Sequence, residues 1–121
     1  MALKRIRLEL ARAPEARGGN PYCGYEFTAP LDSAGKLDLE QWARNKDKCL
    51  VRRFWNSTTD ERGRLVHQHG GHWAFAWPGE DREEPIFRYD KHAFVTGEYV
   101  SVTEHDGIER PFCIVDIKPA D

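Results

Sequence analysis

The amino-acid sequence predicts a mainly β protein of the α+β class. We expect a single small domain built from a strongly bent antiparallel sheet, or a partly open barrel, of about seven strands with one helix. Short segments alternate apolar and polar residues with the period of a strand, turn residues separate these segments, and only one segment has helical spacing. The length of 121 residues fits one core, so residues 1–121 form one predicted domain.

The first two strands are predicted near the N-terminus. Residues 6–10 alternate apolar and charged side chains, which is typical of a strand with one buried face. Residues 13–21 contain two prolines and two glycines, so they predict a surface connection. Residues 23–28 place Cys23, Tyr25 and Phe27 on one face and therefore predict the second strand.

The predicted helix has its body over residues 39–48. Asp38 precedes it as an N-cap, and Gln41 occupies the third helical position, as in a capping box. The apolar face of this segment has only one large side chain, Trp42. A helix this short cannot form a core alone, so we expect Trp42 to dock against the strands.

The middle of the chain predicts four short strands. Residues 50–55 form one, and the polar residues 60–63 indicate a turn after it. Residues 65–69 and 72–77 flank Gly70-Gly71, which predicts a hairpin with a two-residue turn. A brief strand is predicted over residues 86–89.

The last quarter of the chain predicts a second hairpin. Apolar residues recur at every second position on both sides of the turn residues Asp106-Gly107. From the two hairpins together we predict the following core residues: Trp73, Phe75, Val100, Val102, Val115 and Ile117.

Three histidines are the candidate metal ligands. A two-residue turn at Gly70-Gly71 would place His69 opposite His72 and His67 opposite Ala74. His67, His69 and His72 would then share one face, an arrangement compatible with zinc. The alternative is a solvated hairpin tip that binds no metal specifically. This alternative is favoured because the hairpin has no neighbouring carboxylate or cysteine to complete a ligand set.

A second candidate site is Lys46-Asp47-Lys48 followed by the segment Arg52, Arg53, Phe54 and Trp55. Interleaved cations and aromatic rings suit phosphate contacts and base stacking, so the segment could bind RNA. In a strand, however, alternate residues point to opposite faces, and both rings then have a packing role. The packing interpretation is favoured because aromatic residues dominate small cores.

The charge distribution leaves the partner open. Lys and Arg number 18 against 20 Asp and Glu, which gives a net charge of −2. Residues 1–55 carry 11 basic against 7 acidic residues, a net of +4, and the remainder carries 7 against 13, a net of −6. The whole chain therefore lacks the strong positive charge of a dedicated nucleic-acid binder.

The cysteines indicate a reducing compartment. Cys23, Cys49 and Cys113 are far apart, odd in number and without CxxC spacing, so we expect buried thiols and no disulfide framework. The chain shows no apolar segment of membrane-spanning length and no signal-peptide pattern. These features predict a cytoplasmic protein without a membrane partner.

The sequence resembles known proteins in two ways. The residues Phe94, Gly97, Glu98, Val100 and Val102 follow a Gly-acid-x-Val-x-Val pattern similar to the strand entry of small β-barrel modules of the SH3-like and PUA-like kinds. That resemblance implies a sharp turn at Gly97 into a curved strand. The whole chain, with its N-terminal residues 1–12, also resembles short bacterial proteins with no assigned function; that resemblance implies a bacterial source and indicates no particular function.

The sequence favours binding over catalysis. It contains no dinucleotide-binding glycine pattern, Walker loop or Gly-x-Ser-x-Gly nucleophile motif. We therefore predict a small cytoplasmic binding or interaction module without catalytic activity or a cofactor, whose partner is a protein or RNA. Two alternatives stay open: a metal-binding protein or metal-dependent hydrolase with zinc on the histidine cluster, and an RNA-associated module.

Overall fold

The computed structural model describes residues 3–12, 17–56, 59–68, 72–78, 83–87, 93–104 and 107–120, with backbone alone at residues 59, 60, 68, 72 and 83–87. Eight antiparallel strands follow one another around a closed barrel. The strands are β1 (Leu3–Leu10), β2 (Asn20–Pro30), β3 (Leu50–Trp55), β4 (Thr59–Gln68), β5 (His72–Ala76), β6 (Glu83–Phe87), β7 (Tyr99–Thr103) and β8 (Glu109–Pro119).

The predicted mainly β fold with one α-helix is confirmed, and the sheet is strongly bent. The described strands number eight, where about seven were predicted. The barrel is closed because β1 pairs with β2 on one side and with β8 on the other. Closure gives every strand two neighbours and removes the unpaired edges that an open sheet would expose.

The helix α1 (Leu39–Arg44) connects β2 to β3 and crosses one end of the barrel. The predicted cap is confirmed, because the Asp38 carboxylate accepts a hydrogen bond of 3.1 Å from the backbone N–H of Gln41. The helix is shorter than predicted and continues after Asn45 as a 3-10 helix, Lys46–Lys48. Trp42 is buried and its Nε1 donates to the Leu65 carbonyl at 2.9 Å, which confirms that it docks against the strands.

Large aromatic side chains fill the barrel interior. The Phe75 ring lies 5.0 Å from Tyr25 and 5.2 Å from Phe27, and Phe112 packs edge-on to Tyr25 at 5.3 Å. Four of the predicted core residues are buried: Trp73, Phe75, Val100 and Val102. Burial of such rings supplies much of the hydrophobic stabilisation of a barrel this small.

The core register of β8 differs from the prediction. Ile117 is half-buried and packs against the core, as predicted. Val115 is half-buried and is not part of the core, whereas Phe112 and Ile114 are fully buried. The cause is a β-bulge against β1, where the partners jump from Asp116 to Ile114 and leave Val115 without a partner. An extra residue of this kind reverses the alternation beyond it, so a strict period of two assigns one half of the strand to the wrong face.

The predicted polar turn over residues 60–63 is wrong, because these residues belong to β4. A Cβ at Gly63 would lie 2.3 Å from the Ala76 carbonyl oxygen and 2.7 Å from the Trp77 ring. Gly63 therefore permits close approach of a neighbouring strand and does not mark a turn.

The C-terminal hairpin of β7 and β8 is confirmed. Thr103 pairs with Glu109, and Gly107 has a positive φ of 81° in the connecting turn. Gly97, predicted to turn the chain into the strand, also has a positive φ, 97°. The three cysteines are free thiols; Cys23 and Cys49 are buried and Cys113 is half-buried.

Candidate functional site

The histidine hairpin has a different register from the predicted one. Gln68 pairs with His72 and His67 with Trp73, so the two-residue turn is wrong and three residues connect the strands. A shift of one residue exchanges the faces of a strand, and His67 packs on the Trp73 ring at 4.7 Å. His69 and the His72 side chain lie outside the described residues, so the site of His67, His69 and His72 stays a prediction. In the described part of the chain, no three His, Cys, Asp or Glu side chains gather as metal ligands.

The four predicted RNA-binding residues do not form one surface. Arg53 and Trp55 lie on the inner face of β3, and the Arg53 guanidinium stacks on the Trp55 ring at 4.3 Å. Arg52 and Phe54 lie on the outer face. The alternation expected of a strand therefore separates the segment into two pairs with different environments.

An ionic cluster occupies the inner face near the β7–β8 turn. Its centre is Glu104, whose side chain is only 1% exposed. The Tyr25 hydroxyl donates to this carboxylate at 2.6 Å, Arg53 donates to it twice at 3.3 Å, and Arg110 donates at 3.1 Å. Arg53 also pairs with Glu61 at 3.4 Å. We call these residues, Tyr25, Arg53, Glu61, Glu104 and Arg110, the ionic cluster.

The charges of the ionic cluster are matched. Burial lowers the pKa of the Arg53 guanidinium, but its interactions with Tyr25 and Glu104 outweigh burial and raise that pKa above its ordinary value. Two guanidinium groups face two carboxylates, so no net charge remains for a ligand to neutralise. The cluster therefore joins β2, β3, β4 and β8 to the residue that follows β7, and it has a structural role.

On the outer face, Phe54 is covered by two arginines. The guanidinium of Arg7 lies 4.3 Å from the ring centroid and that of Arg52 lies 5.1 Å from it. Glu26 holds both arginines, at 3.4 Å from Arg7 and 3.8 Å from Arg52, and Glu9 pairs with Arg7 at 2.8 Å. These contacts bury the ring, so Phe54 has a packing role.

A groove of about 810 Å³ runs along the outer face beside this network, and it is the candidate functional site. We call it the basic groove. Its charged lining residues are the cations Arg5, Lys48, Arg52, Arg62 and Arg64 and the carboxylates Glu26 and Asp47.

The strand register places these cations on one face. Arg52 and Arg62 are direct partners in the β3–β4 pair, as are Leu50 and Arg64. Arg5 pairs with Thr28 in the β1–β2 pair. The 3-10 helix between α1 and β3 adds Lys48 at the border of the groove. Like charges directly opposite one another destabilise a sheet, so this arrangement has an electrostatic cost.

The basic groove has a net positive charge in a protein that is acidic as a whole. Five cations face two carboxylates, a difference of +3, whereas the chain carries −2. Arg5, Lys48 and Arg64 are exposed, and within the described ranges their side chains form no ion pair and no hydrogen bond. Unpartnered cations concentrated in one concave surface attract anions.

Sequence reasoning identified only Lys48 and Arg52 among the groove cations. The alternation of Arg62, Gly63 and Arg64 carries the missing signal, since two residues of a strand that flank a glycine point to the same face. Interpreting Gly63 as a turn residue concealed that signal.

Comparisons with protein families, with curated proteins and with solved structures find no match to this chain. Among the described residues, no helix is both long and apolar enough to cross a membrane.

Proposed function

We propose that the protein is a small binding module that holds an anionic ligand in the basic groove. The observation that carries this proposal is the presence of three exposed cations without counter-charges, Arg5, Lys48 and Arg64, on one concave surface. An anion bound there would relieve their mutual repulsion and form charge-assisted hydrogen bonds with the guanidinium groups.

The chemistry of the groove supports binding without catalysis. A general base needs a carboxylate or imidazole placed to accept a proton from the substrate. Of the two groove carboxylates, Glu26 is held by ion pairs to Arg7 and Arg52, so its oxygens are already engaged. Asp47 has no such partner, but no histidine stands among the described lining residues to act with it. Apolar side chains such as Leu50 and Pro78 complete the described lining and suit contact with an organic ligand.

A cytoplasmic location is a further part of the proposal. It is supported by the three free thiols, of which two are buried in the core and would gain nothing from an oxidising compartment.

Thermal unfolding in the presence of inorganic triphosphate tests the proposed function. A ligand that binds only the folded state raises the melting temperature in a saturable manner. We expect such a rise for the parent protein and its loss in the double variant Lys48→Gln/Arg64→Gln. The matched control is Arg44→Gln, because Arg44 is an exposed arginine on α1 outside the groove.

Two results would contradict the proposal. One is a parent protein whose melting temperature does not change with triphosphate. The other is a rise that persists in the Lys48→Gln/Arg64→Gln variant, since the anion would then bind elsewhere on the protein.

A further inference from the structure

We infer that the anionic ligand of the basic groove is single-stranded RNA, laid across β1 to β4 with its phosphates on the groove cations. This inference rests on the proposed function and names the class of its ligand. It uses the three exposed groove cations without counter-charges, Arg5, Lys48 and Arg64.

The spread of these cations favours a polymer over a single ion. Arg5 lies on β1 and Arg64 on β4, three strand spacings apart, which corresponds to about 14 Å. One phosphate group cannot contact cations so widely separated, whereas successive phosphates of one strand can.

The size and apolar content of the groove favour a single strand over a duplex. Its volume of about 810 Å³ is that of a cleft that encloses a small ligand or a few nucleotides. Leu50 is 51% exposed and lies between Thr28 and Arg64 on the outer face, where an unstacked base could cover it. Arginine guanidinium planes also stack on bases that are free of a duplex.

One groove residue distinguishes RNA from DNA. Asp47 is exposed, and within the described part of the chain its side chain forms no hydrogen bond or ion pair. A carboxylate repels a phosphate but accepts a hydrogen bond from a ribose 2′-hydroxyl, which DNA lacks. Asp47 beside Lys48 therefore offers an acceptor for the sugar next to a cation for the phosphate.

Fluorescence anisotropy with a labelled twelve-nucleotide oligouridine tests the inference. Each phosphate contact to a single strand contributes about 0.7 to the slope of log affinity against log salt, so three contacts predict an affinity loss of roughly 20-fold between 50 and 200 mM salt. In the triple variant Arg5→Gln/Lys48→Gln/Arg64→Gln none of the three contacts remains, so we expect almost no dependence of affinity on salt. The matched control Arg12→Gln/Arg17→Gln/Arg44→Gln removes the same charge outside the groove and should keep the parent's slope.

The oligodeoxyuridine of the same length tests the choice of RNA. We expect it to bind several-fold more weakly than oligouridine, and we expect Asp47→Ala to abolish that difference without changing the salt slope. Equal binding of the two oligonucleotides by the parent protein would overturn the assignment to RNA.

Failure of the inference is distinguishable from failure of the proposed function. One result against the inference is that triphosphate binds and oligouridine binds no more tightly than triphosphate. Another is that polyglutamate of equal length displaces oligouridine at equal concentration. In either case the inference is wrong and the proposed function stands. If neither triphosphate nor oligouridine binds, both are wrong.

Discussion

Replacing Glu104 by glutamine should destabilise the protein more than any other conservative change of a single charge. Glutamine has nearly the same shape but only one acceptor oxygen, and it carries no negative charge. Both Arg53 and Arg110 would keep their positive charges in the barrel interior, where their side chains are 12% and 10% exposed, and the carboxylate that pairs with both of them would be lost.

The expected cost follows from the burial of the partners that remain. Removing one member of a buried ion pair costs about 3–5 kcal/mol, because the desolvated charge left behind has no compensation. That is a large share of the roughly 5–15 kcal/mol that stabilises a domain. For a chain of this length, the corresponding decrease in melting temperature is about 10–20 °C.

Urea unfolding followed by tryptophan fluorescence measures the effect as a change in the free energy of unfolding at constant m-value. The control is Glu40→Gln, because Glu40 pairs with Arg44 at 3.1 Å on the surface, with side chains 74% and 67% exposed. That substitution should cost less than about 0.5 kcal/mol. A Glu104→Gln variant within about 1 kcal/mol of the parent would refute the assignment of a structural role to the ionic cluster.

A double-mutant cycle with Tyr25→Phe tests the geometry of the cluster more directly. The Tyr25 hydroxyl donates to the Glu104 carboxylate at 2.6 Å, so its removal alone should cost roughly 1.5–3 kcal/mol. Because Glu104→Gln already weakens that hydrogen bond, the two changes together should cost less than the sum of the separate changes. Additive costs would show that the two groups do not interact.

Two further predictions concern a buried thiol and a strand glycine. Burial, with a smaller contribution from Asp47, raises the pKa of Cys49 from 9.0 to about 11, so Cys113 should react with a thiol reagent at pH 8 while Cys49 reacts only after unfolding. As the pH rises from 9 to about 11, the Cys49 thiol loses its proton in the unfolded state but keeps it in the folded state, so the free energy of unfolding should decrease. This decrease should be larger in the parent than in Cys49→Ala. Equal decreases would contradict the assigned burial. Gly63→Ala should destabilise the protein by more than about 1 kcal/mol, because its Cβ would meet the neighbouring strand. The control Gly18→Ala should be neutral or stabilising, because no atom lies within 4 Å of the added Cβ. Thermal unfolding of both variants tests this prediction.

The elements of the barrel could be predicted from the sequence because each depends on local chemistry. The cap at Asp38 and the alternation of Val100 and Val102 are properties of a few consecutive residues, and both are confirmed. The register of each strand was harder to predict. Bulges and loop lengths set it, and neither the bulge at Val115 nor the three-residue connection before His72 has a signal in the period of two.

The candidate sites could be predicted only in part, because both depend on contacts between distant residues. Glu104 lies 51 positions after Arg53, and no pattern of neighbouring residues in the sequence indicates that the two side chains meet. The basic groove likewise combines Arg5 of β1 with Arg64 of β4, which become neighbours only when the intervening strands pair.

The two sets of charges respond to salt in different ways, which separates stability from binding. The ionic cluster is buried and matched, so dissolved ions screen it weakly. The groove cations Arg5, Lys48 and Arg64 are exposed, so salt weakens both their mutual repulsion and their attraction for an anion. Increasing salt should therefore reduce the affinity for an anionic ligand while leaving the folded barrel as stable or slightly more stable. A loss of binding at high salt then reports on the groove itself and not on unfolding.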